Sequence, residues 1–259
     1  MLTRFANPAR FMRVSSLVLP WLGGSSAVVL GLGLFWSLVI APPDYQQGES
    51  VRIMFVHVPA AIMAEGVYYL IAAASAVALV WRHPLADIAA QAAAPIGAGF
   101  TVVCLATGSL WGRPMWGTWW VWDVRLTSVL VLFFLYLGYI ALVNAFDDPV
   151  RGARAGALLA LVGIVDLPII KFSVNWWNTL HQPASILRAG GPSIDISMLL
   201  PLLVMGIGFA LLFGWLLLLR MRTALNERKV RALSLYGQPA ARGEDSATPL
   251  PAARAVRPT

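Results

Sequence analysis

The chain has 259 residues, 19 Lys and Arg against 12 Asp and Glu, 59% hydrophobic residues, 12% charged residues and a mean hydropathy of +0.73. A water-soluble domain carries about twice that share of charge, so the composition excludes one and points to an all-α or β-barrel integral membrane protein. The basic balance is explained by membrane topology below and gives no ground for nucleic-acid binding.

Residues 1–16 are a short basic lead-in. Six apolar blocks follow, at about 17–41, 56–80, 90–110, 127–145, 155–172 and 196–219, each near the roughly 20 residues that a membrane-spanning helix needs. Lipid offers the backbone no hydrogen-bond partner, so continuous blocks of this length must be helices, and a barrel would show short alternating segments. Pro95, Pro168 and Pro201 predict kinks or helix ends inside the blocks. The first block is too long, and its flanks too unlike a cleavage site, for a removable signal peptide. The expected organisation is an all-α bundle of six transmembrane helices over 17–220, followed by a tail at 221–259. That tail begins as a basic, helix-compatible stretch to Ser234, and beyond Gly237 it has too little apolar content to fold.

Basic residues set the orientation. Fourteen lie in the N-terminal segment, the second and fourth links and the tail, whereas five (Arg52, Arg113, Arg125, Lys171 and Arg188) lie in the other links or at the helix ends beside them. The excess predicts that both termini are cytoplasmic. The first, third and fifth links then share the outer surface, and three unusual segments fall there.

The first segment is Met54-Phe-Val-His-Val-Pro-Ala-Ala61, at the mouth of the second helix. The second is the link 111–126, which packs five tryptophans, Asp123, Arg113 and Arg125 into a few turns of chain. The third is Lys171-Phe-Ser-Val-Asn-Trp-Trp-Asn-Thr-Leu-His-Gln-Pro183. Two of the three histidines, His57 and His181, thus sit on one side, and His83 on the other. Imidazole is a common ligand of haem iron, so His57 and His181 are candidate axial ligands from opposite faces of one porphyrin. Read as a helix, Trp116, Trp119, Trp120 and Asp123 fall at i, i+3, i+4 and i+7, a face that could stack on the ring. Arg113 or Arg125 could pair with the propionates.

Each element also has a plainer reading. Tryptophans collect at membrane interfaces, although five in one link exceed what a spread belt requires. Asp123 precedes an apolar run and suits a helix N-cap, a role compatible with a site. Arg113 and Arg125 could snorkel to the interface. Glu65, eight residues after His57, and Asp166, ahead of Pro168, are carboxyl groups inside apolar blocks. Glu65 is expected to face another helix as a protonated or partnered group, and Asp166 to satisfy backbone groups freed by a kink. Cys104 stands alone, which excludes an internal disulfide or paired-thiol centre. No phosphate-cradling glycine loop is recognisable, so the chain is expected to hydrolyse no nucleotide by itself, and with no Ser-His-Asp arrangement no catalytic residue is expected.

Trp116-Gly-Thr-Trp-Trp-Val-Trp-Asp-Val-Arg-Leu-Thr-Ser128 resembles the tryptophan-rich "WWD" signature of haem-handling membrane proteins. Six helices, Val56-His-Val-Pro-Ala-Ala61 and Trp176-Trp-Asn-Thr-Leu-His-Gln-Pro183 narrow the likeness to the haem exporter protein C (CcmC) family of bacterial cytochrome c maturation. The resemblance implies His57 and His181 as axial ligands of haem b, and Trp116, Trp119, Trp120, Trp122, Asp123 and Arg125 as a periplasmic haem platform. It further implies a multi-pass protein of the bacterial inner membrane that delivers haem to the periplasmic chaperone CcmE beside CcmA, CcmB and CcmD. No family role transfers to Glu65 or Asp166. Three rival functions stand beside it: a cytochrome c synthase, which would need more helices and a larger outer domain; an electron-transfer cytochrome, which would bury its histidines in helix interiors; and a transporter passing haem through its own bundle.

Overall fold

The computed structural model describes residues 7–182, 185–186, 188 and 190–236. Seven α-helices build six membrane spans: α1 (Pro8–Phe35, extended by a π-helical turn Trp36–Ile40), α2 (Met54–Trp81), α3 (Pro84–Trp116), α4 (Val124–Asn144), α5 (Pro149–Gly163) with α6 (Asp166–Trp176), and α7 (Ile196–Tyr236). A short 3-10 helix, Glu49–Ile53, leads into α2. No strand occurs among the described residues.

Several helix starts repeat one local device. Asn7, His83 and Asp148 each stand in extended backbone, accept a hydrogen bond from a backbone N–H of the first turn, and are followed by proline at the first helical position. Such a cap satisfies a donor that has no partner inside the helix, and the proline costs nothing where its missing N–H would be unpaired anyway. His83 is therefore a cap: its Nδ1 accepts from Ala86 N at 3.3 Å. Arg82 adopts a left-handed conformation with φ 51° and turns α2 directly into α3.

The helices overrun the apolar blocks. α3 continues six residues past 110, and α7 spans 41 residues, about 60 Å at 1.5 Å per residue, twice the thickness of a hydrocarbon core. Hydropathy reports what faces lipid, whereas a helix continues as far as its backbone bonds are satisfied. Residues 237–259, which hold the end of the tail, lie outside the described residues. Pro95 and Pro201 are carried inside continuous helices, but the fifth block breaks. Between α5 and α6 the bonds Val165 N to Val162 O (3.3 Å) and Leu167 N to Ile164 O (3.2 Å) tighten the turn just before Pro168. The expectation that Asp166 satisfies freed backbone groups there is not met: its Oδ2 is buried without a partner among the described residues.

α3 is the spine of the bundle. It packs against α2, α4 and α7 along a run of buried small residues, Ala90, Ala93, Ala94, Gly97 and Ala98. Gly97 permits the closest approach, since a β-carbon there would overlap the Tyr136 ring of α4. Tyr136 is fully buried and donates to the Ala64 carbonyl of α2 at 2.7 Å, so one side chain ties three helices together. One end of the bundle gathers the links after α1, α3 and α6, as shown by Trp111 Nε1 donating to Gln47 (3.0 Å) and by the Trp116 ring facing His181 (6.5 Å). At the opposite end Arg222 donates to Met12 O and Ser15, and Arg228 pairs with Asp87 at 3.1 Å.

Replacing Gly97 with Ala should force Tyr136 away from Ala64 and cost about 1–3 kcal/mol, read as a lower melting temperature in detergent. Tyr136→Phe should cost less, about 1 kcal/mol. An unchanged melting temperature for Gly97→Ala would contradict this packing.

Candidate functional site

The site is assembled by the last turns of α3 on one side, the first turns of α2 and α4 on the others, and the loop after α6. His57 lies in the first turn of α2, inside the helix and not in the preceding link. Its Nδ1 is 3.1 Å from the Cys104 carbonyl oxygen and 3.1 Å from Thr107 Oγ1, both on α3. The Trp111 ring meets the imidazole edge-on, with centroids 5.7 Å apart and planes at 76°.

His181 sits in the loop. Its backbone N–H donates to Thr179 Oγ1 at 3.2 Å, and its Nδ1 is 3.1 Å from the Gln182 carbonyl oxygen. Its ring faces Trp116 at 6.5 Å. Trp111 and Trp116 stand on the same end of α3, so that end meets both histidines, and each histidine lies within electrostatic range of Arg125. Burial foremost, and then the Arg125 charge, push the His181 imidazole down to about 4, against an opposing contribution from the Gln182 carbonyl. His181 is therefore neutral at physiological pH.

The two rings share one feature with chemical consequence. In each, Nδ1 faces a backbone carbonyl, which can only accept. A neutral imidazole so placed carries its proton on Nδ1 and leaves the Nε2 lone pair free. Metal-bound histidines are commonly oriented this way, because the hydrogen bond at the far nitrogen fixes the tautomer and enriches the donor atom.

The tryptophan link is not a helix. α3 ends at Trp116, Gly117 takes φ 77° and reverses the chain, and residues 117–123 run as bends and extended backbone to the start of α4. The expected face of Trp116, Trp119, Trp120 and Asp123 at helical spacing does not form. In its place Trp120 and Trp122 pack edge to face at 5.6 Å, Trp119 lies against Arg113 at 6.0 Å, and Trp122 is 76% exposed. The left-handed Gly117 breaks the periodicity that the spacing suggested.

The two arginines separate. Arg113 donates to the Gly117 carbonyl and covers Trp119, so it closes the end of α3. Arg125, in the first turn of α4, makes no hydrogen bond or ion pair among the described residues, and its electrostatic neighbours include both histidines, Asp123 and Glu65. Asp123 is the α4 cap, with Oδ1 accepting from Leu126 N at 2.8 Å. Its Oδ2 and the Trp120 Nε1–H are buried without partners among the described residues. An unengaged guanidinium, an unpaired indole donor and two free imidazole nitrogens are what an apolar disc with acidic edges would need.

Glu65 lies about 12 Å further along α2 than His57, with Arg125 and Lys171 as its charged neighbours. Thr107, Gly108, Trp111 and the Cys104 carbonyl are the contacts that sequence reasoning missed. The signal was there: 104, 107, 108 and 111 share a helix face, once α3 is carried to Trp116.

The model of the CcmC family, described as heme exporter protein C, matches residues 1–236. The chain belongs to this family. Proteins named heme exporter protein C are similar to it: 60% identical over 230 residues in Bradyrhizobium diazoefficiens (89% of this chain, 87% of the relative), 52% over 221 residues in Haemophilus influenzae (85% and 90%), and 51% over 224 residues in Escherichia coli K12 (86% and 90%). The family match spans every helix described above.

The carbon and nitrogen resonances of His181 in detergent-solubilised protein should titrate with a midpoint near 4. Arg125→Gln should raise that midpoint, because it removes a positive charge that opposes protonation. A wild-type midpoint near 6.5, the free-imidazole value, would contradict the site's burial.

Proposed function

We propose that the chain binds haem b at this end of the bundle and presents it for transfer during cytochrome c maturation. The observation that carries the reading is the matched pair of histidines, each with Nδ1 held on a carbonyl and Nε2 free. Family membership supports haem as the cargo. His57 and His181 act as axial ligands, Trp116, Trp119, Trp120 and Trp122 cover the porphyrin, and Arg125 receives a propionate with help from Trp120 Nε1–H. Arg113 and Asp123 shape the platform through its backbone.

The charge distribution supports cytoplasmic termini and a periplasmic site, in the bacterial inner membrane. Haem then leaves to the chaperone CcmE, with CcmD, CcmA and CcmB as the surrounding machinery. The chain acts as a carrier and not as an enzyme.

The two ligands differ in how they are held, and that difference suits a carrier. His57 is fixed in a helix and tied to a second helix. His181 depends on partners within two residues of itself in a loop, and loops move more readily than packed helices. An incoming ligand from the chaperone would displace His181 first, while His57 keeps the iron until the new bond forms.

Visible spectra of the purified protein should be those of six-coordinate, low-spin haem. His181→Ala should retain haem in a five-coordinate state, and His57→Ala should lose most of it. Trp119→Ala together with Trp120→Ala should reduce loading of the chaperone. Unchanged haem content and ligation in both histidine variants would refute the assignment.

A further inference from the structure

His57 has two acceptors at one nitrogen, and the second is a side chain. Thr107 Oγ1 lies 2.6 Å from the Val103 carbonyl oxygen, one turn back on α3, and 3.2 Å from that of Cys104. Its hydroxyl hydrogen goes to the shorter of these, Val103, as a threonine in a helix commonly arranges it. What the hydroxyl then offers His57 is a lone pair. The single Nδ1–H is shared between the Cys104 carbonyl and Thr107 Oγ1, each at 3.1 Å.

One acceptor would hold the nitrogen but leave the ring free to swing about the N–H···O axis. Two acceptors about one turn apart on α3 fix the ring's orientation, and the Trp111 ring packs against it with centroids 5.7 Å apart. A β-carbon on Gly108 would come within 3.0 Å of His57 Cε1, 3.5 Å of Nδ1 and 4.0 Å of Nε2, so any larger residue would press on the ring at Cε1, between its two nitrogens, and push it out of place.

We propose that Thr107 is a positioning residue for the haem ligand His57, holding its orientation and tautomer from α3, while Gly108 leaves the room the ring needs beside Cε1. This rests on the reading of His57 as an axial ligand. Thr107 touches neither iron nor porphyrin and acts only through His57. Because a hydrogen bond accepted from Nδ1–H increases the basicity of Nε2, it also lowers the potential of the bound iron.

The test uses the full chain in nanodiscs, loaded with haemin, with dissociation rate, midpoint potential and low-spin spectrum as readouts. Thr107→Val should release haem about tenfold faster and shift the potential upward, and Thr107→Ser, which keeps the hydroxyl, should restore both. Gly108→Ala should weaken the low-spin spectrum with the Thr107 hydroxyl intact, because the added methyl presses on His57 at Cε1; a wild-type spectrum in this variant would overturn the role of Gly108. Wild-type dissociation and potential in Thr107→Val, beside loss of the low-spin spectrum in His57→Ala, would overturn the role of Thr107 and leave the haem assignment standing. A wild-type spectrum in His57→Ala would overturn both.

Discussion

The contact between the start of α2 and the last turns of α3 governs everything at the site. It brings the His57 Nδ1 to the Cys104 carbonyl and Thr107, and Trp111 against the imidazole. The packing that permits it is laid down further along the same helices, where small residues on α3 and the Tyr136 bridge to Ala64 bring the backbones together. α3 then continues to Trp116 and meets His181 with the other face of its end. A single helix thus sets the relation between two histidines that lie far apart in sequence.

Electrostatics at the site follows from this burial. Arg125 stands half-buried in the first turn of α4 with no hydrogen bond or ion pair among the described residues, and a half-buried guanidinium gains from an anion that completes it. The same charge opposes protonation of His181, so the arrangement that favours a carboxylate guest also keeps a nitrogen lone pair available. Ligand and counter-charge are coupled through one residue. Arg113, equally close in sequence, is engaged with Gly117 and Trp119 and has no such freedom.

Much of this was legible in the residues. Six apolar blocks of bilayer length gave six spans, and helix parity put His57, the tryptophan link and His181 on one surface, because strong hydrophobicity is a long-range signal that local detail cannot mask. What stayed hidden was local. Trp116, Trp119, Trp120 and Asp123 fit a helical spacing, yet a left-handed Gly117 breaks it, and spacing alone cannot report a backbone reversal. His57 stands at the very start of the second apolar block, where hydropathy does not separate link from helix, and the helix begins three residues earlier at Met54. The contacts of Thr107 and Trp111 with His57 depend on how α3 packs against α2, which the residues of the third block and of the tryptophan link do not reveal by themselves. The break before Pro168 was expected, but the role given to Asp166 was not found, and its Oδ2 is buried without a partner among the described residues.

The direct measurement is electron paramagnetic resonance of the ferric, haem-loaded protein with nitrogen-15 labelled histidine, which counts the imidazole nitrogens on one iron. The account predicts a low-spin signal coupled to two histidine nitrogens, reduced to one in His181→Ala. A high-spin signal, or coupling to a single histidine in the unaltered protein, would contradict it.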